Sequence, residues 1–227
     1  MRAGVTHRKE QEVHSNFLTA EEIRKFGRDL RILLATNGTL PRILGILAND
    51  DIFTQIIDRD ICVATPEMRS PERPFNGRTL HRKVLLKGRS SGKLFVVAES
   101  LISIDLVPPK LIDNLIEMDR PIGESILANG IEIFKENPKL WMSTLPDWLK
   151  LDERQDLAQE AIARRYRMTI RGQPAIVVTE YFPLGTFTKS ITTATIGADG
   201  EDGNAEIDMS ISDCSCEDAI QQQMADC

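Results

Sequence analysis

The sequence predicts an α+β domain built on an antiparallel sheet of about five to seven strands, an ordinary size for one domain. Two observations carry that expectation. Strand-like runs come in pairs joined by short polar turns: Arg82–Leu86 with Leu94–Ile102 across Gly88–Gly92, and Arg164–Ile170 with Ala175–Phe182 across Arg171–Pro174. Helical stretches also come in adjacent pairs instead of alternating with strands, which argues against a parallel sheet. A chain of 227 residues is long enough for one such domain with a real core and a tail.

Residues 1–17 are polar, charged and without period, so they read as a mobile arm. Thr19 opens a helix, with Glu22 three residues on completing a capping box and Leu18 placed to staple onto Ile23. Ile23, Phe26, Leu30, Leu33 and Leu34 form its buried stripe, and Asn37-Gly38 stops it. Thr39-Leu40-Pro41 starts a second short helix through Leu47, with Pro41 tolerated in the first turn. Its face is apolar and Arg42 is its sole base, so the pair reads as a core hairpin or a lid over a pocket and not as a DNA-reading unit. Ile57–Thr65 is expected as a strand whose alternation is disturbed at Asp58-Arg59-Asp60, and 68–76 as a polar, proline-rich loop.

After the first hairpin, Pro108-Pro109 opens a helix with Leu111, Ile112, Leu115 and Ile116 inward. Asp119–Gly123 breaks it before a second helical segment that ends at Asn129-Gly130, a second helix-turn-helix. Ile131–Lys135 reads as a short strand, 137–151 as irregular, and 153–162 as a helix. Trp141 and Trp148 read as packing residues. In the last hairpin Arg165 and Arg167 share the outer face, whereas Arg164 falls with Tyr166, Met168 and Ile170 and can reach a pocket.

Charge is distributed unevenly. Lys and Arg number 28 against 34 Asp and Glu, a net charge of −6. From Lys189 onward there are nine acids and one base, hence −8, which leaves the rest of the chain at +2. Residues 188–227 therefore read as an acidic, disordered tail behind a near-neutral domain of residues 18–187, and neither part invites nucleic acid. Cys214-Ser215-Cys216 with Cys227 is a poor match to zinc spacing, and His7, His14 and His81 are scattered, so no metal is expected. No apolar run reaches membrane-spanning length, and no apolar segment follows the basic start, so the expectation is a cytoplasmic protein that does not enter membranes. Oligomeric state has no signature in the sequence.

Two charges fall on apolar strand faces. Arg82 shares its side with Val84 and Leu86, and Glu180 shares its side with Ile176, Val178 and Phe182. Burying either alone costs several kcal/mol, so each must find a partner. Either they form one buried ion pair, or they face a closed pocket for a small anionic ligand, Arg82 on its carboxylate and Glu180 on a polar or acidic hydrogen.

Arg82–Leu86, Ala98–Ile102, Pro121-Ile122-Gly123, and Arg164–Met168 through Gly172-Gln173-Pro174 to Thr179–Pro183, in that order and spacing, resemble chorismate pyruvate-lyase and its microbial relatives. The likeness covers residues 80–184, and more loosely 33–44 through Asn37-Gly38-Thr39-Leu40. It implies a six-stranded antiparallel sheet with helices on one side, and a buried ligand site under two helix-turn-helix flaps, 33–47 and 115–130. It further implies conversion of chorismate to 4-hydroxybenzoate and pyruvate without cofactor or metal. Arg82 would hold the ring carboxylate together with the backbone of Ile122, Leu40 would pack on the ring, and Glu180 would lie at the hydroxyl end as base or acceptor. Ser103 and Pro41 depart from the pattern, and Glu99-Ser100 stand where some lyases have Arg-Thr, so a second acid beside the site would bear on specificity. Two other functions suit the same residues: a non-catalytic sensor for a small carboxylate, and an enzyme for another cyclic carboxylate. A sensor of the regulator type needs a basic reading head, and only an arm and one helix precede the first flap.

Overall fold

A computed structural model describes residues 17–64, 77–149 and 160–187, all within a compact unit, Met1–Thr193. The expected loop at 68–76, most of the helix expected at 153–162, the tail with its cysteines, and residues 1–16 lie outside the described residues.

Three short helices lead, α1 (Ala20–Arg24), α2 (Arg28–Ala35) and α3 (Leu40–Ala48). The Thr19–Glu22 capping box forms as read, with the Thr19 N–H donating to Glu22 Oε2 at 2.7 Å and the Glu22 N–H to Thr19 Oγ1 at 3.3 Å. The single helix expected from Thr19 to Asn37 is broken, however, because Gly27 is extended and serves as the N-cap of α2. A sheet strand β1 (Ile52–Ala64) follows, longer than expected by five residues at its start, then β2 (Gly77–Gly88) and β3 (Leu94–Ser103). The register of β1 on β2 slips between Ile56 and Asp58, which pushes Ile57 out to 43% exposure and accounts for the disturbed alternation. The β2–β3 turn needs its glycine: a Cβ on Gly88 would stand 2.2 Å from the Asp50 carboxylate, which accepts the Ser90 and Ser91 N–H groups at 3.0 Å each.

The second helical pair is α4 (Pro109–Glu117) and α5 (Ile122–Ala128). Then come β4 (Phe134–Lys135), β5 (Lys139–Thr144), β6 (Glu160–Ile170) and β7 (Gln173–Pro183). Two readings are corrected here. Residues 139–144, expected as irregular, pair with β6 as β5, and residues 160–162, expected to end a helix, begin β6. The apolar residues Ala161, Ile162 and Ala163 are all buried because β6 is covered on both faces, and such a run carries no period to separate strand from helix.

All pairings are antiparallel, in the order β1-β2-β3-β7-β6-β4, with β5 sharing the outer edge of β6 beside β4. Seven strands thus fill six positions. Even-numbered residues of β2, β6 and β7 face the helices in two apolar clusters. One joins Val84, Leu86, Ile162 and Phe182 to α2 and α3, and the other joins Leu80, Met168, Ile176 and Val178 to α4 and α5. A third cluster, with Leu85, Val97 and Tyr181, lies on the opposite face and takes in Trp148. Trp141 packs edge-on against Phe17, whose bridge to Trp141 ties the end of the expected arm to β5. Neither tryptophan lines the cavity described next.

Candidate active site

Between the two inner clusters the sheet face changes character. Along β2 the inward series is Leu80, Arg82, Val84; along β7 it is Val178, Glu180, Phe182; along β6 it is Ile162, Arg164, Tyr166. The charged residues thus form a belt across the middle of the sheet, between the two apolar clusters. Over this belt lies a cavity of about 420 Å³. Its floor includes Arg82, Ser100, Tyr166 and Glu180, and its roof the turns of the two helical pairs, Asn37–Pro41 and Pro121–Gly123. These turns approach each other closely: a Cβ on Gly123 would touch Thr39 Cγ2 at 3.4 Å.

All four residues singled out from the sequence line this cavity: Arg82, Glu180, Leu40 and Ile122. Arg82 and Glu180 are 1% and 6% exposed, so both charges point inward as the alternation required. They do not form the ion pair that was one of the two readings. Glu180 is paired with Arg164 on the adjacent strand. Arg164 Nε donates to Glu180 Oε2 at 2.7 Å, and Nη2 lies 2.6 Å from the same oxygen as a charge contact outside hydrogen-bond alignment. The Tyr166 hydroxyl donates to Oε1 at 3.1 Å. Burial, reinforced by the charge of Glu180, pushes the Tyr166 phenol well above its ordinary pKa and so keeps its proton in place.

Arg164 is fully buried and has a second task. Its Nη1 donates to the carbonyls of Leu33, Leu34 and Thr36 at 2.5, 3.3 and 3.2 Å. Those are carbonyls at the C-terminal end of α2, where a cation also meets the negative end of the helix dipole. One side chain therefore fixes the Glu180 carboxylate and docks the first helical pair onto the sheet.

Arg82 stands differently. Its Nη2 donates to the carbonyl of Arg120 at 2.8 Å, two residues before Ile122, while its Nε has no partner. No carboxylate pairs with it among the described residues. Burial, and after it the nearby Arg59, hold its guanidinium down to about 10, with Asp119 opposing, so it remains charged at neutral pH. Arg59 itself is bonded to the Ile116 carbonyl and the Asp119 carboxylate and so ties β1 to the α4–α5 link.

Lys135 is the site residue that sequence reasoning missed. It lines the cavity with Ile131 and Ile133, and the period-two series Ile131, Ile133, Lys135 was the available signal. Glu99, suspected of standing beside the site, faces away: it meets His81 on the other side of the sheet at 2.5 Å, and Ser100 is the member of that pair that lines the cavity. Among the described residues no group of His, Cys, Asp and Glu could hold a metal, and no helix is long and apolar enough to cross a membrane.

An antiparallel α+β domain enclosing a small pocket with a buried cation and a buried carboxylate defines a binder or converter of small anionic molecules. The comparisons with known proteins narrow that class. The sequence profile described as Chorismate pyruvate-lyase Rv2949c-like matches residues 34–189. The chain is 47% identical over 174 residues to a chorismate pyruvate-lyase of Mycobacterium tuberculosis H37Rv, covering 75% of this chain and 87% of that protein. It is 47% identical over 170 residues to the Mycobacterium leprae protein of the same name, covering 75% and 81%. PhnF from Mycobacterium smegmatis shares the fold, with a TM-score of 0.51 at 12% identity over 72% of this chain and 70% of that one. The chain belongs to the Rv2949c-like chorismate pyruvate-lyase family, a family of lyases.

Proposed function

We propose that this protein eliminates pyruvate from chorismate to give 4-hydroxybenzoate, with its own side chains as the sole catalytic groups. The observation that carries the reading is the pairing of two unlike buried charges in one 420 Å³ cavity: Arg82 with an unused donor, and Glu180 held rigidly from behind.

In the reaction the hydrogen on C4 leaves as a proton while the C3–O ether bond breaks. The electron pair of the C4–H bond becomes the new ring double bond, and the ether electrons leave on the enolpyruvate oxygen. That oxygen takes up a proton, and the enol becomes pyruvate. Protons balance, no oxidation occurs, and aromatisation supplies the driving force, so the reaction has no need of a redox group. Arg82 binds the ring carboxylate through its guanidinium, and the backbone of Ile122, brought near by the Arg82–Arg120 hydrogen bond, completes that end. Leu40 packs on the ring from the roof. Glu180, which lines the cavity, accepts the C4 proton or orients the C4 hydroxyl, and its bonds from Arg164 and Tyr166 fix its position. The helical turns over the cavity act as flaps that exclude water and part for release.

The test is incubation of the purified protein with chorismate, following pyruvate and the hydroxybenzoate isomers by chromatography. Equimolar pyruvate and 4-hydroxybenzoate are expected. No turnover with tight binding of hydroxybenzoate would replace the lyase with a sensor for small carboxylates.

A further inference from the structure

The cavity holds one more cation than product binding uses. Lys135 lines it from β4, its Nζ 3.9 Å from the centroid of the Tyr166 ring, and no carboxylate pairs with it among the described residues. Lys135 is half-buried, so its ammonium gives up part of its hydration without an anion beside it, and Glu180, the carboxylate near it among the described residues, is already committed to Arg164. Contact with the Tyr166 face offsets part of that loss.

The chemistry of the substrate supplies the missing partner. Chorismate carries two carboxylates, one on the ring and one on the enolpyruvyl group attached at C3; 4-hydroxybenzoate keeps only the first. With Arg82 on the ring carboxylate and Glu180 at C4, the C3 substituent must lie beside Glu180. Lys135 stands at that end, close enough to Glu180 and Arg164 to feel both charges. Resting on the lyase reading above, we infer that Lys135 binds the enolpyruvyl carboxylate and so forms a subsite that substrate fills and 4-hydroxybenzoate does not. The arrangement favours turnover because the contact is lost when pyruvate leaves.

Burial, helped by Arg164 and opposed by Glu180, holds the Lys135 ammonium down to about 8. The charged or titratable groups around it are Tyr166 and Arg164 on β6, Glu180 on β7 and Arg82 across the cavity; the helical turns contribute only neutral residues to the lining. Loss of its proton therefore removes the cation that the second carboxylate needs.

The experiment compares Lys135→Met and Lys135→Arg with the wild-type protein, measuring kcat/KM on chorismate across pH and the Kd of 4-hydroxybenzoate. Lys135→Met is expected to lower kcat/KM about 30- to 100-fold while leaving the Kd within about threefold, the cost of one charge-assisted contact made by substrate alone. Lys135→Arg is expected to recover most of the loss, and to abolish the fall in wild-type kcat/KM above about pH 8. Equal loss on both ligands, or no loss on either, would overturn the assignment. A wild-type protein that does not consume chorismate would instead overturn the lyase reading, and this subsite with it.

Discussion

Arg82 and Arg164 are equally withdrawn from water, at 1% and 0% exposure, on the same face of the same sheet, yet they spend their donors in opposite ways. Arg164 is consumed by the protein: its contacts are Glu180 and three carbonyls of the first helical pair. Arg82 makes one hydrogen bond to a backbone carbonyl, and its buried Nε has no hydrogen-bond partner. Burial alone thus does not mark a binding residue. What sets Arg82 apart is burial with no carboxylate partner among the described residues, the condition in which an anionic ligand would compensate the desolvation.

The sharpest way to break this contrast is to remove the consumed arginine. Arg164→Met leaves Glu180 buried without its cation and frees the C-terminal carbonyls of α2, so a loss of about 3–5 kcal/mol is expected in urea unfolding, the range for breaking a buried pair. The double variant Arg164→Met/Glu180→Gln should recover a large part of it, since no lone carboxylate then remains. A loss below about 1 kcal/mol for the single variant would show that the pair stabilises little.

Removing the other arginine should give the reverse pattern. Arg82→Met is expected to lower kcat/KM on chorismate about 10²- to 10³-fold, about 3–4 kcal/mol of transition-state binding. Its folding stability should stay within about 1 kcal/mol or rise, because a poorly compensated buried charge has been deleted. If Arg82→Met unfolded the protein as Arg164→Met does, Arg82 would be structural and the contrast would fail.

A smaller effect follows from the carboxylate that survives the reaction. In the proposed reaction the ring carboxylate is present in substrate and product, so Arg82 should grip both, and the proposed flaps, whose turns come close at Thr39 and Gly123, would part for release. 4-Hydroxybenzoate is expected to inhibit competitively, and Arg82→Met to raise its Ki by at least about tenfold, or about 1.4 kcal/mol. Initial rates with added product measure this; absent inhibition would remove both the shared carboxylate contact and the flap.

Which of these distinctions the sequence displays depends on period. Alternation alone places Arg82, Arg164 and Glu180 on the inner face, and the two helical pairs are legible from their stops at Asn37-Gly38 and Asn129-Gly130. Alternation cannot say which cation Glu180 takes, because strand order decides that: β6 lies against β7 with Arg164 opposite Glu180, whereas β2 is separated from β7 by β3. Lys135 escaped for a related reason. It ends the short Ile131–Lys135 run, and a lysine at the end of a strand ordinarily reaches water, so its place in the series with Ile131 and Ile133 does not single it out. β5 and the start of β6 were misread because Lys139–Thr144 is a half-exposed edge strand and Ala161–Ala163 is buried on both faces, so neither presents a clean alternation.

The outer face of the sheet tests the contrast from its weak side. His81, Arg82 and Lys83 are consecutive bases on β2, and the two outward members pair with acids in contact with water: His81 with Glu99 at 2.5 Å and Lys83 with Asp58 at 2.9 Å. The hydrogen bond from His81, and then the surrounding positive charges, hold the Glu99 carboxyl below its ordinary value against the opposing effect of burial. A carboxyl lowered on folding adds stability above its unfolded value, and that contribution disappears as pH falls through the lowered folded value. Glu99→Gln should therefore cost no more than about 1 kcal/mol at neutral pH, in the range of partly exposed pairs, and should flatten the acid limb of a urea-midpoint profile without changing kcat/KM. A change in kcat/KM of tenfold or more would show that the two faces of the sheet are coupled, and that the inner belt is not the whole of the site.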